Sequence, residues 1–394
     1  MAARPMNVAV WFAVVLMITG CTRSGGETGK DGTGKVRIAV ACPMSGSGAA
    51  YGEMMSKAVR LKVEEINAAG GIDGREVELL IEDDRGDTSE AAIVSRKLAA
   101  DKSVSIVIGH FNSTCSNAAK EEYNRKGVLQ FSSGSTNISV CAGSPWTFRN
   151  LYRDDYQGTF LARYASGVLG AKKVAVFYDN DDYGKGLMEA FLKEAKKLGL
   201  EVMEPIPYVR ERTQDFKPLV SQIKGRDVDA IFLSGLYNEG ALITRAARQD
   251  LGIKAHLLAG DGIMNQKFIE LAGSSAEGTF VTTPFLFEAA KDNKDAKAFF
   301  ESFKKKFQQE PDTWAALAYD AVGMAARAID EVGTDREAIK SWFAEVTDAS
   351  KAYSGVTGAT WFDQEGDCYS KGAHVAVVRD GAFAVAERQL TLTE

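Results

Sequence analysis

From Val36 onward the chain alternates between two hydrophobic patterns. Short apolar runs rich in β-branched residues predict buried strands, and each run is followed by a stretch with apolar residues every three or four positions, which predicts a helix with one buried face. In the first series the predicted strands are 36–42, 76–81, 104–108 and 128–131. The helices between them are a segment ending at the glycine pair Gly70-Gly71, then 89–100 and 115–126.

A second series of the same kind begins near residue 155. Its predicted strands are 174–178, 202–208, 230–233 and 255–259, and its helices are 155–169, 184–198, 216–223 and 239–249. Three consecutive helices (291–308, 313–332 and 336–346) then precede strands at 360–362, 374–379 and 382–386. Strands alternating with helices predict an α/β protein whose parallel sheets are built from βαβ units. The extra tail suggests that the chain returns to the first unit and then crosses once more.

The N-terminal 35 residues do not follow this pattern. A short apolar run over 8–18 has the proportions of a signal-peptide core rather than a membrane span, which needs ~20 apolar residues. It ends in Ile18-Thr19-Gly20-Cys21, which resembles a bacterial lipobox. We therefore expect 1–20 to be a lipoprotein signal peptide, Cys21 to carry the lipid, and 21–35, rich in glycine and poor in apolar residues, to be a flexible tether. An ordinary secretory signal with a chance cysteine is the alternative.

Composition narrows the class of partner. The chain has 394 residues, a formal charge of −6 and 45% apolar residues, as a globular protein does. Nucleic acid is excluded as a partner because phosphate binding needs concentrated Lys and Arg. Besides Cys21 there are four cysteines, and an exported chain permits disulfides. Cys115 with Cys141 is the preferred pair, Cys42 with Cys368 is the other bond that would then form, and four free buried thiols remain an equal alternative.

Sequence motifs for catalysis and for cofactor binding are incomplete or absent. Gly46-Ser47-Gly48 after the first strand lacks the third glycine of a dinucleotide fingerprint, and the aspartates after 174–178 lack the glutamate of a calcium loop. The three histidines are too dispersed for a local zinc motif, and no nucleophile elbow occurs. We expect His110, which follows a buried strand, to be a hydrogen-bonded structural residue. The sequence predicts no enzyme, no cofactor and no metal.

Two loops nevertheless suit a small anionic group. Ligands of open α/β sheets bind beyond the carboxyl ends of the strands. The loop 109–114 enters a helix there and offers free N–H groups together with the hydroxyls of Ser113 and Thr114. The loop 132–137 is equally rich in small donors, including Ser135, and Gly134 lets the backbone approach a ligand. Ordinary helix caps and turns would give the same pattern.

Several segments in chain order resemble those of one family. They are Pro43-Met44-Ser45-Gly46, Tyr51-Gly52, Asn67-Ala68-Ala69-Gly70-Gly71-Ile72, Asp83-Asp84, Gly109-His110, Tyr183-Gly184, Ser275-Ala276-Glu277-Gly278 and Trp361-Phe362-Asp363-Gln364-Glu365-Gly366-Asp367. Together they resemble the leucine/isoleucine/valine-binding proteins of bacterial ABC importers, over nearly the whole chain after the tether.

This resemblance implies the type I periplasmic binding fold. In that fold two Rossmann-like lobes with parallel-type sheets are joined by three crossover strands and close on a ligand. The crossings are expected near 149–152, 282–285 and 362–367. The first lobe would then comprise 36–151 plus 285–362, and the second 152–284 plus 363–394.

The resemblance also implies roles for named residues. It places Ser113, Gly134 and Thr136 on the α-carboxylate and α-ammonium of an amino acid, and Asp261 facing the ammonium. Tyr51 on the first lobe and Tyr183 on the second would flank the ligand. Trp314 and Tyr319 are further candidates for an apolar wall.

One position departs from the family pattern. Where a Gly-Tyr pair is usual, this chain reads Ser234-Gly235-Leu236-Tyr237, so either the tyrosine is displaced by one residue or Leu236 fills its place. Asp261 is also shorter than the glutamate common at its position. Both changes alter the pocket near the ammonium, and the choice among small amino acids stays open.

The functional hypothesis is a monomeric, lipid-tethered, extracytoplasmic protein that captures a small, aliphatic or branched-chain amino acid for the membrane subunits of an ABC permease. A binder of another small carboxylate or amide, such as an aromatic acid or a urea-type compound, is the alternative on the same fold. A ligand-sensing component is a third reading.

Overall fold

The computed structural model describes residues 34–392 together with Met1 and Ala2. The predicted lipidation site Cys21, almost all of the predicted leader 1–20 and the tether up to residue 33 lie outside the described residues. Within the described part of the chain, no helix combines the length and apolar character that crossing a bilayer requires.

The first sheet is wholly parallel and has the strand order β2-β1-β3-β4-β5. Its strands are β1 (Val36–Cys42), β2 (Val77–Asp83), β3 (Val104–Gly109), β4 (Leu129–Ser132) and β5 (Thr147–Arg149). The helices between them are α1 (Ala49–Ala68), α2 (Thr88–Ala100) and α3 (Ser113–Lys126). The central strands are apolar along their length because helices cover both faces of such a sheet.

The second sheet has eight strands in the order β15-β14-β11-β10-β9-β6-β7, with β8 also pairing with β6. Its strands are β6 (Lys173–Asp179), β7 (Glu201–Val202), β8 (Ile206–Tyr208), β9 (Ala230–Ser234), β10 (His256–Ala259), β11 (Thr279–Thr283), β14 (His374–Arg379) and β15 (Ala382–Val385). Its helices are α4 (Asp154–Arg163), α5 (Asp182–Leu198), α6 (Lys217–Ser221), α7 (Tyr237–Arg245) and α8 (Gln266–Ala272). Strand β14 pairs antiparallel with β11, and β15 pairs antiparallel with β14 at the edge of the sheet.

Three helices and a hairpin stand between β11 and β14. They are α9 (Lys294–Phe307), α10 (Thr313–Val332), α11 (Arg336–Glu345) and the strands β12 (Tyr353–Gly355) and β13 (Gly358–Thr360). Apolar side chains of α1 pack against α9 and α10, so the tail returns to the first sheet, as expected. The chain therefore passes between the two sheets three times: after β5, after β11 and after β13.

The α/β fold class and most elements are confirmed, with several differences of detail. The single predicted strand 202–208 is two strands, because Pro205 between them has no N–H to donate to a ladder. The predicted strand 360–362 is wrong: β13 ends at Thr360, and Phe362 forms only an isolated bridge with Cys368. Strands β5 and β11 overlap the crossover segments expected near 149–152 and 282–285, but no strand with their bounds was predicted.

The preferred disulfide is also wrong. Cys42, Cys115, Cys141 and Cys368 are all free and buried. The Cys141 thiol points to the carbonyl oxygen of Gly366 at 3.6 Å, and burial raises the pKa of the Cys141 thiol to about 12. Neither the preferred pair nor the second possible pair forms, so the four cysteines act as small buried side chains.

A buried ion cluster ties the first and third passages together. Arg149, at the end of β5, donates from Nε to Oδ1 of Asp367 at 2.6 Å. Arg153 donates from Nη1 to the other oxygen of Asp367 at 2.9 Å, and both Arg149 and Asp367 are buried. Arg153 also pairs with the more exposed Asp155. One carboxylate therefore joins two of the segments that connect the sheets.

We expect Asp367→Asn to lower the free energy of unfolding by ~3–5 kcal/mol, because it leaves the buried guanidinium of Arg149 without its counter-ion. Asp155→Asn is the matched control. It removes an ion pair that is half exposed, and we expect a loss below ~1 kcal/mol. Urea denaturation of the two variants measures the difference, and equal losses would contradict a structural role for the cluster.

Candidate functional site

A small closed cavity lies where the carboxyl ends of both sheets meet. It has a volume of about 20 Å³. The lining residues come from loops that follow strands of both sheets and from the start of α10: Phe111, Asn112, Ser113, Gly134, Tyr183, Leu236, Asp261, Gly262 and Trp314. This is the position at which open α/β sheets bind ligands.

The loop after β3 contains a buried histidine, His110, whose hydrogen bonds fix the loop in place. The Nδ1 atom of His110 lies 2.6 Å from Oδ2 of Asp84, and its Nε2 atom lies 3.2 Å from the hydroxyl of Tyr123. The hydroxyls of Ser132 and Ser135 donate to the carbonyl oxygen of His110 at 2.8 and 3.1 Å. The prediction of a structural His110 is confirmed, and both loops of the first sheet are fixed to one another.

This loop delivers the N-terminus of α3 to the cavity. Asn112 stands at the N-cap position, but its side chain caps none of the free N–H groups of the helix. The next residue, Ser113, accepts a hydrogen bond from the backbone N–H of Asn137 at 3.2 Å. Unsatisfied N–H groups and the helix dipole give this end of the cavity a partial positive charge, which favours an anion.

The opposite side of the cavity carries the carboxylate of Asp261, in the turn after β10. Asp261 is 1% exposed, and its Oδ1 atom accepts from the hydroxyl of Tyr183 at 2.9 Å. The same hydroxyl accepts from the N–H of Gly262 at 3.0 Å, which orients the pair. The Oδ2 atom has no well-formed hydrogen bond within the described chain, although the side chains of Gln157 and Tyr152 lie near enough to favour the charged form of Asp261. Burial raises the pKa of Asp261 to about 6.

A second buried carboxylate near Asp261 was missed by the sequence reasoning. Asp154, the first residue of α4, is 1% exposed, and neither of its oxygens has a well-formed hydrogen bond within the described chain. Burial, followed by the nearby charge of Asp261, raises the pKa of Asp154 well above its usual range. In the sequence, Asp154 lies between Arg153 and Asp155, and such a run of charged residues predicts a solvent-exposed segment. Only the fold shows that this one member is buried.

The remaining wall is apolar and largely aromatic. The ring of Phe111 stacks on that of Tyr51 with centroids 4.4 Å apart, and it meets Trp314 edge-on at 5.0 Å. Leu236, which lies in the loop between β9 and α7, lines the cavity from the second sheet. Such a surface suits an aliphatic group and offers nothing to a charged one.

Hydrogen bonds join the two halves around the cavity. The hydroxyl of Tyr51 donates to the carbonyl oxygen of Gly262 and accepts from the N–H of Tyr237 at 3.2 Å. Nearby, the Tyr237 hydroxyl donates to the carbonyl oxygen of Ser47 at 2.6 Å. The indole of Trp314 donates to the carbonyl oxygen of Met264 at 3.0 Å. The structure therefore shows the two halves in contact around an enclosed space.

The structure brings five of the ten predicted site residues to the cavity wall: Ser113, Gly134, Tyr183, Leu236 and Asp261. The other five surround it without lining it: Tyr51, Thr114, Ser135, Thr136 and Tyr237. The hydroxyl of Thr114 accepts from the N–H of Asp182 across the cleft at 3.3 Å, and Ser135 supports the loops. Thr136 is buried, with no well-formed hydrogen bond from its hydroxyl within the described chain.

For two choices that the sequence left open, the structure shows which residue lies at the cavity. Leu236 lines the cavity, whereas the displaced Tyr237 turns its hydroxyl to the first half. Of the two aromatic candidates on α10, Trp314 lines the cavity, and Tyr319 instead donates to the Glu65 side chain of α1. Phe111, Asn112 and Gly262 were not among the predicted site residues, because nothing in sequence distinguishes them from their neighbours in the same loops.

In the part of the chain that the structure describes, no group of three or more His, Cys, Asp and Glu side chains is placed to hold a metal ion. The site instead places a positive helix end and the buried carboxylate of Asp261 around one space with an apolar wall, and the buried carboxylate of Asp154 lies near Asp261 outside the lining. The fold and the site define a two-lobed α/β binding protein with an interlobe cavity.

Comparison with known proteins identifies the family. The family model described as periplasmic binding protein matches residues 35–382, and the chain belongs to this family. It is 32% identical to the Leu/Ile/Val-binding protein homolog 1 of Brucella suis biovar 1 (strain 1330), over 84% of this chain and 87% of that one.

Two solved structures share the fold at similar identity. A leucine-binding protein of Thermotoga maritima superimposes with a TM-score of 0.83 at 34% identity, covering 89% of this chain and 97% of its own. The branched-chain amino acid transporter substrate-binding protein of Streptococcus pneumoniae, in complex with isoleucine, gives 0.84 at 33% identity, covering 91% and 100%. The type I periplasmic binding fold is thereby confirmed.

Proposed function

We propose that this protein captures a small α-amino acid with an aliphatic, branched side chain in the interlobe cavity and delivers it to an ABC importer outside the cytoplasm. The observation that carries the proposal is the pairing of opposite charges across one cavity. The N-terminus of α3 stands on one side, and the half-paired, buried carboxylate of Asp261 stands on the other.

The acidic side of the cavity favours a ligand with a cationic group that has several N–H donors. One oxygen of Asp261 and both oxygens of Asp154 have no well-formed hydrogen bond within the described chain, and all three are buried. A buried carboxylate without a partner is costly, and an ammonium group both neutralises it and donates three hydrogen bonds. We assign the ammonium of the ligand to Asp261, with Asp154 and the hydroxyl of Thr136 beside it.

The opposite side suits the carboxylate of the same ligand. The first N–H groups of α3 and the hydroxyl of Ser113 are donors, and Gly134 presents backbone without a side chain. Anion binding at a helix N-terminus follows from the free N–H groups and the dipole together. The present cavity of about 20 Å³ has room for about one water molecule, so the lobes must separate to admit a ligand. A zwitterion bound between them would satisfy both sides of the site, whereas a simple carboxylate or a simple amine would satisfy one.

The apolar wall selects the side chain. Phe111, Leu236 and Trp314 offer no polar partner on their ring and methyl surfaces, so a polar side chain there would lose its hydration without compensation. The solved relative from Streptococcus pneumoniae holds isoleucine, which supports a branched aliphatic ligand. Membership of a family of transport solute-binding proteins supports delivery to a permease rather than catalysis.

In this proposal the two lobes close on the ligand. We assign 36–151 plus 285–362 to the first and 152–284 plus 363–394 to the second, with a monomer as the working unit. The ligand touches donors of one lobe and the carboxylate of the other. Binding energy is therefore complete only when the lobes are closed.

Isothermal titration of the mature domain against the twenty common amino acids, benzoate and urea tests the function. We expect heat of binding with leucine, isoleucine or valine. Asp261→Asn should weaken that binding at least tenfold, because a hydrogen bond to a charged group contributes ~1.5–3 kcal/mol. Asp330→Asn, at an exposed position of α10, is the matched control and should leave affinity unchanged.

Absence of heat with every amino acid would refute the proposal. Binding of benzoate or urea that Asp261→Asn leaves unaltered would favour the alternative ligand class, in which no ammonium faces the aspartate.

Affinity should depend on pH through Asp261. The ligand ammonium stabilises the ionised form, so binding is complete above the unliganded pKa of about 6 and weakens as the pH falls through it. We expect about a tenfold loss between pH 7 and pH 5, where the ligand's own groups keep their charges. Titrations at both pH values measure it, and Asp261→Asn should flatten the profile. A wild-type affinity that does not change would contradict the assignment.

We assign membrane attachment to a lipid on Cys21, on the strength of the lipobox-like segment before it. Expressed in full length in a bacterium, the protein should partition with membranes and incorporate labelled palmitate. Cys21→Ala should abolish the label and release the protein into the soluble extracytoplasmic fraction, whereas Cys42→Ala, at a buried thiol, should leave the label in place. An unlabelled, soluble wild-type protein would favour the ordinary secretory signal instead.

A further inference from the structure

A broad groove lies between the two halves of the molecule, apart from the small cavity described above. Its volume is about 800 Å³, which is the size of a small-molecule site. One wall comes from α9 and the start of α10, which pack on the first sheet through α1. The other wall comes from β15 and the turn before α8, in the half of the second sheet. None of the described residues that line the groove also lines the small cavity.

The interior of the groove is apolar and aromatic. Phe287 meets Phe285 edge-on with ring centroids 4.7 Å apart, and it meets Phe300 at 5.2 Å. Phe383 of β15 and Pro311 add to the apolar lining. The rings of Phe287, Phe300 and Phe383 are only partly buried. An apolar molecule in the groove would therefore remove aromatic surface from water, which favours binding.

The charged side chains that line the groove are mostly acidic. Four are acidic and two are basic: Glu288, Glu301, Glu310, Asp312, Lys291 and Lys297. Glu288 accepts a hydrogen bond from the N–H of Val385 at 3.0 Å, which joins the two walls, and Glu310 pairs with Lys304. The lining as a whole carries negative charge, so it favours a cationic ligand over an anionic one.

Asp312 offers a specific position for that cationic group. It is the N-cap residue of α10, and its Oδ1 atom accepts from the N–H of Ala315 at 2.9 Å. Its Oδ2 atom has a longer contact, 3.5 Å, with Nδ2 of Asn265 on the opposite wall. Backbone N–H groups favour the charged form, but burial outweighs them and raises the pKa of Asp312 to about 7. An ammonium group beside this carboxylate would offset the cost of its burial.

The groove and the small cavity are neighbours. Thr313 lines the groove, and the next residue, Trp314, lines the cavity. The indole of Trp314 donates at 3.0 Å to the carbonyl oxygen of Met264, which lines the groove on the side of the second sheet. A molecule that fills the groove would therefore lie next to a hydrogen bond that holds the two halves together.

We propose that the groove is a second ligand site, for a small molecule with an aromatic or other bulky apolar body and one protonated amine. The apolar body lies among the phenylalanines, and the amine lies at Asp312. Because both walls contribute, the molecule makes all of its contacts only while the two halves touch, so its binding favours the closed form. The site itself does not depend on the proposed function, whereas its effect on amino acid affinity does.

Calorimetric titration of 2-phenylethylamine into the mature domain tests the site. We expect binding, with 2-phenylethanol about tenfold weaker and 3-phenylpropanoate weaker still, because the alcohol lacks the positive charge and the carboxylate reverses it. Asp312→Asn should weaken binding of the amine about tenfold and keep the helix cap, since Asn caps a helix as well as Asp does. Equal affinity for the three compounds would overturn the assignment of the amine to Asp312.

A second set of variants locates the bound amine. Ala382→Trp fills the groove from β15 and should abolish binding. Ala298→Trp, at an exposed position of α9 outside the lining, is the matched control and should leave binding unchanged. Asp261→Asn should also leave it unchanged, because Asp261 lines the small cavity. Absence of binding to the unsubstituted chain overturns the inference. Binding that is lost in Asp261→Asn and kept in Ala382→Trp overturns it too, since the amine would then occupy the small cavity.

Titration of leucine at saturating 2-phenylethylamine tests the effect on closure. We expect the affinity for leucine to rise about fivefold, and the rise to vanish in Ala382→Trp. An affinity for leucine that stays the same or falls overturns this effect. If leucine does not bind at all, the proposed function fails, and the amine titrations still decide whether the groove is a ligand site.

Discussion

The site depends on one electrostatic constraint: a carboxylate is buried between two lobes with half of its hydrogen-bonding capacity unused. Asp261 receives one well-formed hydrogen bond, from Tyr183, and its second oxygen has only the looser neighbours Gln157 and Tyr152 among the described residues. Low-dielectric surroundings make such an oxygen expensive, and the raised pKa expresses that cost. A ligand that brings positive charge removes the penalty, so the acid selects for an ammonium before any side-chain contact is made.

The scaffold supplies this constraint through the carboxyl ends of its strands. Asp261 follows β10, the loop of Phe111 follows β3, and Gly134 follows β4, so parallel pairing alone gathers residues that are far apart in sequence. His110 and its partners Asp84 and Tyr123 then hold the first-sheet loops in place. These loops are held in one arrangement because they follow directly from buried strands and share a buried hydrogen-bond network.

The sequence predicted the features of the fold and the site that depend on neighbouring residues in the chain. It missed those that depend on tertiary packing. Helix α10 was predicted with its observed ends, because Asp312 caps its start and Gly333 follows its last residue. Strands β5 and β11 are three and five residues long and carry no alternation that marks them. Asp154 was missed because its burial comes from tertiary packing, in which its backbone N–H donates to the carbonyl oxygen of Thr136 in the loop after β4. The choice between Leu236 and Tyr237 is a matter of one residue of register, which only the turn after β9 decides.

The proposed arrangement of the charged ends would couple ligand binding to closure of the lobes. Several contacts across the cleft need no ligand, including those of Tyr51 with Gly262 and of Trp314 with Met264. These contacts stabilise the closed state in the absence of a ligand. A ligand can favour the closed state further only through interactions that the open state lacks. A zwitterion bound as we propose would meet this condition, because its carboxylate would contact the first lobe and its ammonium the second. A molecule with one charged end would bind one lobe and leave the equilibrium between open and closed forms nearly unchanged.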